Sequence, residues 1–300
     1  MYHQPVLLKE SLDGLNINPD GIYVDATFGG GGHAKKILEQ LNNGKLIAFD
    51  QDKDAEKNAF SDEHFVFIRH NFRYMKNFLK YLNYTQVDGI FADLGVSSYH
   101  FNRPERGFSF RFEGELDMRM NQNSKLTAKH IINQYPEQKL YEILREYGEL
   151  KKPGRIVKAI AKERDELKIN TTQQLVNILT PYFPERLLNK NLAKVFQAIR
   201  IAVNREISNL KFFLGQSEEL LKPKGRLVVI SYHSIEDRLV KNFMKSGNTS
   251  GILTKDFYGN VATPFNLVNK KIITPSEEEI KQNNRARSAR LRIAEKKEAK

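Results

Sequence analysis

Four short apolar runs mark the first third of the chain: Ile22-Tyr-Val-Asp25, Leu46-Ile-Ala-Phe49, Phe65-Val-Phe-Ile68 and Val87-Asp-Gly-Ile-Phe-Ala92. Each is too short for a helix and rich in β-branched or aromatic side chains, so each predicts a buried strand. The segments between them have helical spacing or composition, and that alternation predicts a parallel sheet with crossover helices. A fifth buried run, Leu227-Val-Val-Ile230, follows a predicted helix over about 205–221 and a turn at Lys222-Pro-Lys-Gly-Arg226.

Between about Arg103 and Ala198 the strand rhythm disappears. Leu126 to Gln134, Gln138 to Glu146, Pro153 to Glu166, Thr172 to Leu179 and Leu192 to Ala202 predict helices, with Thr171 or Thr172 as a cap for the fourth. No fixed-period motif supports a repeat array, so the pattern predicts a helical domain inserted into a sheet domain. The expected organisation is 1–103 and 204–300 for the α/β domain and 104–203 for the insertion. Beyond the fifth strand, Ser234 is expected to cap a helix from Ile235 to Met244, and Leu267 to Ile273 to form a late strand. Residues past Ala294 are expected to be mobile.

The first predicted strand breaks into Gly29-Gly-Gly-Gly-His33, and the second ends in Asp50. Glycines permit positive φ and let a ligand approach the backbone, while a carboxylate at the end of the second strand can accept both hydrogen bonds of a ribose diol. This is neither GxGxxG nor a nucleoside-triphosphate loop, because His33-Ala-Lys follows and no Lys-Ser/Thr does. The pattern predicts a pocket for the adenosine end of a cofactor rather than a phosphate cradle.

The fourth strand delivers Asp93-Leu-Gly-Val-Ser-Ser98 to the edge where open α/β sheets place ligands. The glycine turn, Asp50 and this loop are therefore expected to converge. Phe72 reads either as a wall beside an adenine or as core, and Asp25 and Asp93 either as turn caps or as chemical groups. Tyr232 and His233, after the fifth strand, occupy the same topological position. Arg103, Arg106, Arg111 and Arg119, interspersed with Phe108, Phe110 and Phe112, form a basic-aromatic segment suited to RNA backbone and exposed bases, or to sealing the insertion.

Composition narrows the partners. The formal net charge is +12, and residues 281–300 carry eight Lys or Arg against two Glu, a net +6 that is half the excess. That balance favours polyanions, with Arg285, Arg287, Arg290 and Arg292 as phosphate contacts or as a solvated end. There is no cysteine, hence no disulfide and no thiolate metal site. No export signal or membrane span is read, so a cytoplasmic location is expected. Neither GxSxG nor HExxH occurs, and no metal motif is visible.

Seven ordered blocks then carry a resemblance: Asp25-Ala-Thr-Phe-Gly-Gly-Gly-Gly-His33, Asp93-Leu-Gly-Val-Ser-Ser98, Glu105-Arg-Gly-Phe-Ser-Phe110, Leu116-Asp-Met-Arg-Met120, Phe196-Gln-Ala-Ile-Arg-Ile-Ala-Val-Asn-Arg-Glu206, Ser231-Tyr-His-Ser-Ile-Glu-Asp-Arg238 and Arg285-Ala-Arg-Ser-Ala-Arg290. Over about Tyr2 to Ile293 the chain resembles the bacterial ribosomal RNA small-subunit methyltransferase H family, also called MraW.

The resemblance implies a Rossmann-like class I S-adenosylmethionine-dependent methyltransferase fold with an inserted all-helical domain. It implies methylation of the exocyclic N4 amine of one cytidine in 16S rRNA at the decoding centre, on an assembled or nearly assembled small ribosomal subunit. Its cofactor contacts fall on Gly31, Gly32, His33, Asp50, Phe72 and Asp93, and on His100 where the family commonly has glutamine. On this reading Asp93 or its loop accepts an N–H of the target amine with Tyr232 and His233 nearby, Phe108 or Phe110 stacks on the base, and Arg106 holds phosphate. Monomer and homodimer stay open. Two other classes remain at this point: a non-catalytic RNA-binding or assembly factor, and a nicotinamide oxidoreductase.

Overall fold

The computed structural model describes residues 5–96, 101, 103–255, 259 and 263–298. Contacts divide the chain into two compact units, Met1–Gly95 with Ile207–Lys300, and Val96–Glu206. The limits drawn from sequence, 103/104 and 203/204, lie eight and three residues inside these junctions.

The first unit is built on strands β1 (Ile22–Asp25), β2 (Lys45–Phe49), β3 (Phe65–Ile68), β4 (Val87–Asp93), β5 (Leu221–Ser231), β6 (Phe265–Leu267) and β7 (Arg290–Lys296). Among the described residues they form one sheet in the order β3-β2-β1-β4-β5-β7-β6. Strands β1 to β5 run parallel, while β7 is antiparallel to both β5 and β6. The chain winds outward through β2 and β3, then returns to place β4 beside β1. That reversal opens a crevice at the carboxyl ends of β1 and β4, where open sheets bind ligands.

Helices α1 (Leu8–Leu15), α2 (Gly32–Leu38), α3 (Lys53–Glu56) and α4 (Met75–Tyr81) belong to this unit's first segment. Two apolar clusters hold the sheet, one including Val24, Phe49, Ile90, Val229 and Phe213, the other Tyr23, Leu46, Phe91, Val228 and Ile293. Strands β1, β2 and β4 contribute to both, which is why their sequences run apolar rather than alternating.

The second unit contains α5 (Ala128–Gln134), α6 (Glu137–Glu146), α7 (Gly154–Glu166), α8 (Thr172–Leu179) and α9 (Leu188–Asn204). Its own core includes Ile131, Leu140, Ile160, Leu175, Val195 and Ile199. Local signals set the ends. Thr127 accepts from the His130 amide at 3.1 Å, so α5 begins at Ala128 rather than Leu126. Thr171 and Gln174 form a reciprocal capping box at α8.

Helices α10 (Glu206–Leu220), α11 (Ser234–Ser246) and α12 (Glu277–Gln282) complete the chain. Here several expectations are corrected. The turn expected at 222–226 is part of a long β5 that pairs irregularly with β4 between Val87 and Gly89. The late strand is Phe265–Leu267, and Ile273 makes only an isolated bridge to Leu291. His233, not Ser234, caps α11, its ring accepting from the Glu236 amide.

The basic end is not a mobile tail through residue 296. Residues 290–296 form β7, inserted between β5 and β6, and Arg290 and Arg292 pair with Asp237 at 3.1 and 2.7 Å. Burial alone would raise the Asp237 carboxyl, but hydrogen bonds and charge from Arg292 and Arg290 hold it below the usual carboxylate range. Two of the four arginines expected at phosphates are thus committed to an internal acid. The sequence misleads because basic side chains on an edge-proximal strand look like a solvated tail until their partner on α11 is known.

Candidate active site

Asp25 closes β1 and is 1 % exposed. One carboxylate oxygen accepts from the Thr27 amide at 3.0 Å, while the other, Oδ2, is buried without a hydrogen-bond partner. Burial pushes its carboxyl up to about 7, the Thr27 amide opposes that, and the charges of Asp93 and Asp50 add to it. A carboxylate left half-satisfied beside two others is costly unless something cationic or hydrogen-donating joins it.

Asp93, at the end of β4, is pushed up to about 6, mainly by burial; the Gly95 amide and Tyr232 hydroxyl act the other way and Glu236 adds to the rise. Its Oδ1 accepts from Gly95 N at 3.1 Å, and the Tyr232 hydroxyl donates to Oδ2 at 3.3 Å. Gly95 is required for this arrangement, since a Cβ there would lie 2.7 Å from the Tyr232 ring. Thr27 ties the edge together: its side-chain oxygen accepts from the Asp93 amide at 2.6 Å.

Asp50 follows β2 directly and accepts from the amides of Gly29 and Asp52, each at 2.8 Å. The glycine turn is pinned on both sides, Ala26 N donating to Phe91 O and Phe28 N to Phe49 O. Gly31 has φ of 75°, and a Cβ would crowd the Phe28 and Phe60 rings; at Gly32 it would lie 2.4 Å from Pro5 Cγ. These two glycines are thus demanded by packing, whereas at Gly29, with φ of 52°, a Cβ would meet only Thr27 O at 3.9 Å.

The remaining expected residues have other placements. The His33 ring is buried, bonded to Val6 O at 3.0 Å and tilted over Phe91, and burial lowers it to about 4. Its side chain is core. Phe72 is partly buried with its ring edge-on to Phe213 at 5.3 Å. His233 is held by Glu236: Nε2 lies 3.0 Å from Oε1, out of line for a hydrogen bond, while Nδ1 takes the capping role. Of the expected pair after β5, only Tyr232 is shown bonded to Asp93. His100 lies outside the described residues.

The residues expected at RNA are engaged in packing. Arg106 is 4 % exposed and donates to the carbonyl oxygens of Arg119 and Met120; Phe108 is equally buried beside Phe101 and Arg106. Phe110 packs on Phe196 at 5.7 Å. Their arginine-aromatic spacing serves the interior of the helical unit.

Sequence reasoning undervalued Asp25, Thr27 and Glu236. Asp25 and Thr27 lie inside the glycine motif, and an Asp-x-Thr at a strand end was the available signal. Glu236, which accepts from Tyr232 N at 3.1 Å, carried none beyond its place in a first helical turn.

A family model, the MraW methylase family, matches residues 1–297. The chain belongs to the MraW methylase family. Curated relatives agree over the full length. Ribosomal RNA small subunit methyltransferase H of Bacteroides fragilis is 57 % identical over 297 residues, covering 99 % of this chain and 98 % of the relative. The protein of that name from Flavobacterium johnsoniae is 56 % identical over 296 residues, 98 % of each. A Streptococcus mutans structure assigned as a methyltransferase, in complex with SAH, aligns over 99 % of both chains at 13 % identity with a TM-score of 0.45, too distant to carry weight. The methylase is an S-adenosylmethionine-dependent enzyme on a Rossmann-like sheet. The nicotinamide and non-catalytic alternatives fall with that membership. No helix among the described residues is long and apolar enough to cross a membrane.

The edge fits this cofactor. S-adenosylmethionine carries a sulfonium and an ammonium, and three carboxylates with one unpartnered buried oxygen suit a cation better than a phosphate. When bound, the group supplies an activated methyl.

Proposed function

We propose that the methylase modifies the N4 amine of one cytidine in 16S rRNA, at the decoding centre of the small ribosomal subunit. The observation that carries the chemistry is Asp93, a half-buried carboxylate at the end of β4 held by Gly95 N and the Tyr232 hydroxyl. The small-subunit acceptor is supported by relatives named ribosomal RNA small subunit methyltransferase H at 56–57 % identity.

An exocyclic cytosine amine is a poor nucleophile because its lone pair is delocalised into the ring. A carboxylate accepting one of its N–H bonds makes the nitrogen more tetrahedral and takes up charge as the new bond forms. Asp93, raised to about 6, is largely ionised at neutral pH yet still basic enough to receive a proton. Tyr232 orients it. Asp25 recognises the cofactor's positive charge and Asp50 its ribose, with the backbone of Gly31, Gly32 and His33 and the ring of Phe72 around them. The insertion over about 104–203 serves substrate recognition.

Labelled methyl is supplied as S-adenosylmethionine to undermethylated small subunits, and the recovered nucleosides are analysed by mass. A single added methyl on a cytidine amine is the expected product. Label on a ring carbon, a ribose or a different base would refute the assignment.

A further inference from the structure

The helical unit has charge that its own stability does not explain. Arg155, Lys158 and Lys162 lie on α7 at i, i+3 and i+7 and are all exposed, while Ile156, Val157 and Ile160 of the same helix are buried. At 100° per residue the three cations fall within a sector of about 60°. Lys151 and Lys152, exposed just before the helix, extend the same charge. Among the described residues no ion pair is formed by any of the five.

This placement opposes the helix dipole. Anions favour the first turn of a helix and cations the last. In α7 the first turn contains no acidic residue but holds Arg155, while the last turn sets Glu163, Asp165 and Glu166 against Arg164 alone. Pro153 at the cap offers no side-chain bond, so the first amides of α7 are uncapped as well. A surface helix selected only for solubility would carry these charges the other way round.

The same end of α7 lines an open cavity of about 680 Å³. Tyr141, Tyr182 and Phe183 form its aromatic lining and Lys151, Lys152 and Arg155 its basic lining, with no carboxylate among the described residues there. Tyr182 is 45 % exposed. Cations beside accessible aromatic rings suit single-stranded nucleic acid, whose phosphates pair with the cations while an unstacked base lies on a ring.

We propose that the basic face of α7 and its adjoining aromatic cavity dock RNA of the methylase's substrate. From Arg155 to Lys162 the helix advances about 10 Å, at 1.5 Å per residue. This surface is distinct in composition from Arg106, Phe108 and Phe110, which are spent on packing. The inference rests on the rRNA reading for the identity of the polymer.

The test uses the full chain, deproteinised small-subunit rRNA and intact small subunits. In R155A/K158A/K162A, rRNA affinity is expected to fall at least about tenfold at low salt. The dependence of log affinity on log salt should become shallower by about 2 to 3, at 0.7 to 0.9 per phosphate lost. Tyr182→Ala is expected to weaken binding about fivefold or more, while Tyr182→Phe retains the stacking face and the affinity. Calorimetric binding of S-adenosylmethionine and the melting temperature should match the parent and so report intact folding.

Unchanged rRNA affinity and salt slope in the triple variant would overturn the proposal. So would loss of binding to intact subunits with naked rRNA bound as before, since the surface would then serve a ribosomal protein. Methyl transfer separates this inference from the reaction. A parent chain that binds rRNA through α7 yet methylates no cytidine defeats the reaction alone, whereas transfer by the triple variant at unchanged KM removes the surface alone.

Discussion

The carboxyl edge of the sheet and the exposed face of α7 solve opposite recognition problems. At the sheet edge, Asp25, Asp50 and Asp93 are gathered on three neighbouring strands, and two have their carboxyls raised by burial. On α7 the charges are positive, solvated and spread along one helical face. Buried charge gives orientation and strength per contact but costs desolvation, which suits one small cation in one pose. Exposed charge is individually weak and screened, yet additive over a long polyanion. The two surfaces should therefore answer to different variables, pH for the first and salt for the second.

The sharpest way to break this contrast is at Asp93. Asp93→Asn keeps the shape and removes the proton acceptor, and kcat is expected to fall by about 10²-fold to 10⁴-fold, the range for a positioned acid or base. Affinity for rRNA should be unchanged. Single-turnover transfer at saturating cofactor measures the effect, and a rate within twofold of the parent would take Asp93 out of the reaction.

Asp50→Ala comes next. It removes the acceptor for the Gly29 and Asp52 amides as well as the ribose partner, and charge-assisted bonds of this kind contribute about 1.5–3 kcal/mol. Calorimetry should show S-adenosylmethionine binding about 10-fold to 100-fold more weakly. Loss confined to melting temperature, with cofactor affinity intact, would make Asp50 purely structural.

The pH response sharpens the comparison further. Burial pushes the Asp25 and Asp93 carboxyls up to about 7 and about 6 from the ordinary 3.8, so the native state binds more protons than the unfolded chain in between. Their stabilising contribution is therefore complete at low pH and is lost as pH rises from about 4 to 7. A bound cation favours the ionised carboxylates, so cofactor affinity should rise over pH 5.5 to 7.5 with proton release. Asp25→Asn should flatten that rise. His33, lowered to about 4, has the opposite sign: its contribution is present above pH 6.5 and lost as pH falls towards 4.

The smallest effect is expected from Tyr232→Phe. One hydrogen bond to the Asp93 carboxylate is removed, long at 3.3 Å and so at the low end for a charged acceptor, about 1.5 kcal/mol or about tenfold in rate. A shift in the acidic limb of the rate profile should accompany it, because the hydroxyl holds the Asp93 pKa down. A rate loss without that shift would mean that Tyr232 acts on packing, not on Asp93.

How much of this was legible in the chain differs between the same two regions. The strands at 22–25 and 65–68 and the helix at 172–179 stand where apolar periodicity and capping place them. Asp50 and Asp93 were readable because a strand end followed by a loop fixes a residue's position locally. The basic-aromatic segment around Arg106 misled, since a spacing of arginines and phenylalanines is the same whether the rings face solvent or Phe196. Conversely, the cations of α7 carry no local signal, since basic residues at helical spacing look the same on any solvated helix face.

By itself the sequence determined the alternation of strands and helices, the helical interruption, the glycine turn and the membership of its family. Those properties depend on residues close together in the chain, where steric and hydrogen-bonding rules act directly. Tertiary structure alone decided which charges are spent and which are available. Arg290 and Arg292 share one carboxylate because β7 inserts beside β5 within reach of Asp237, and Asp25 keeps an unpartnered oxygen because β4 and β2 flank it. Whether a charge is paired depends on partners tens or hundreds of residues away, and Coulomb energy depends on distance and burial, neither of which a linear pattern contains.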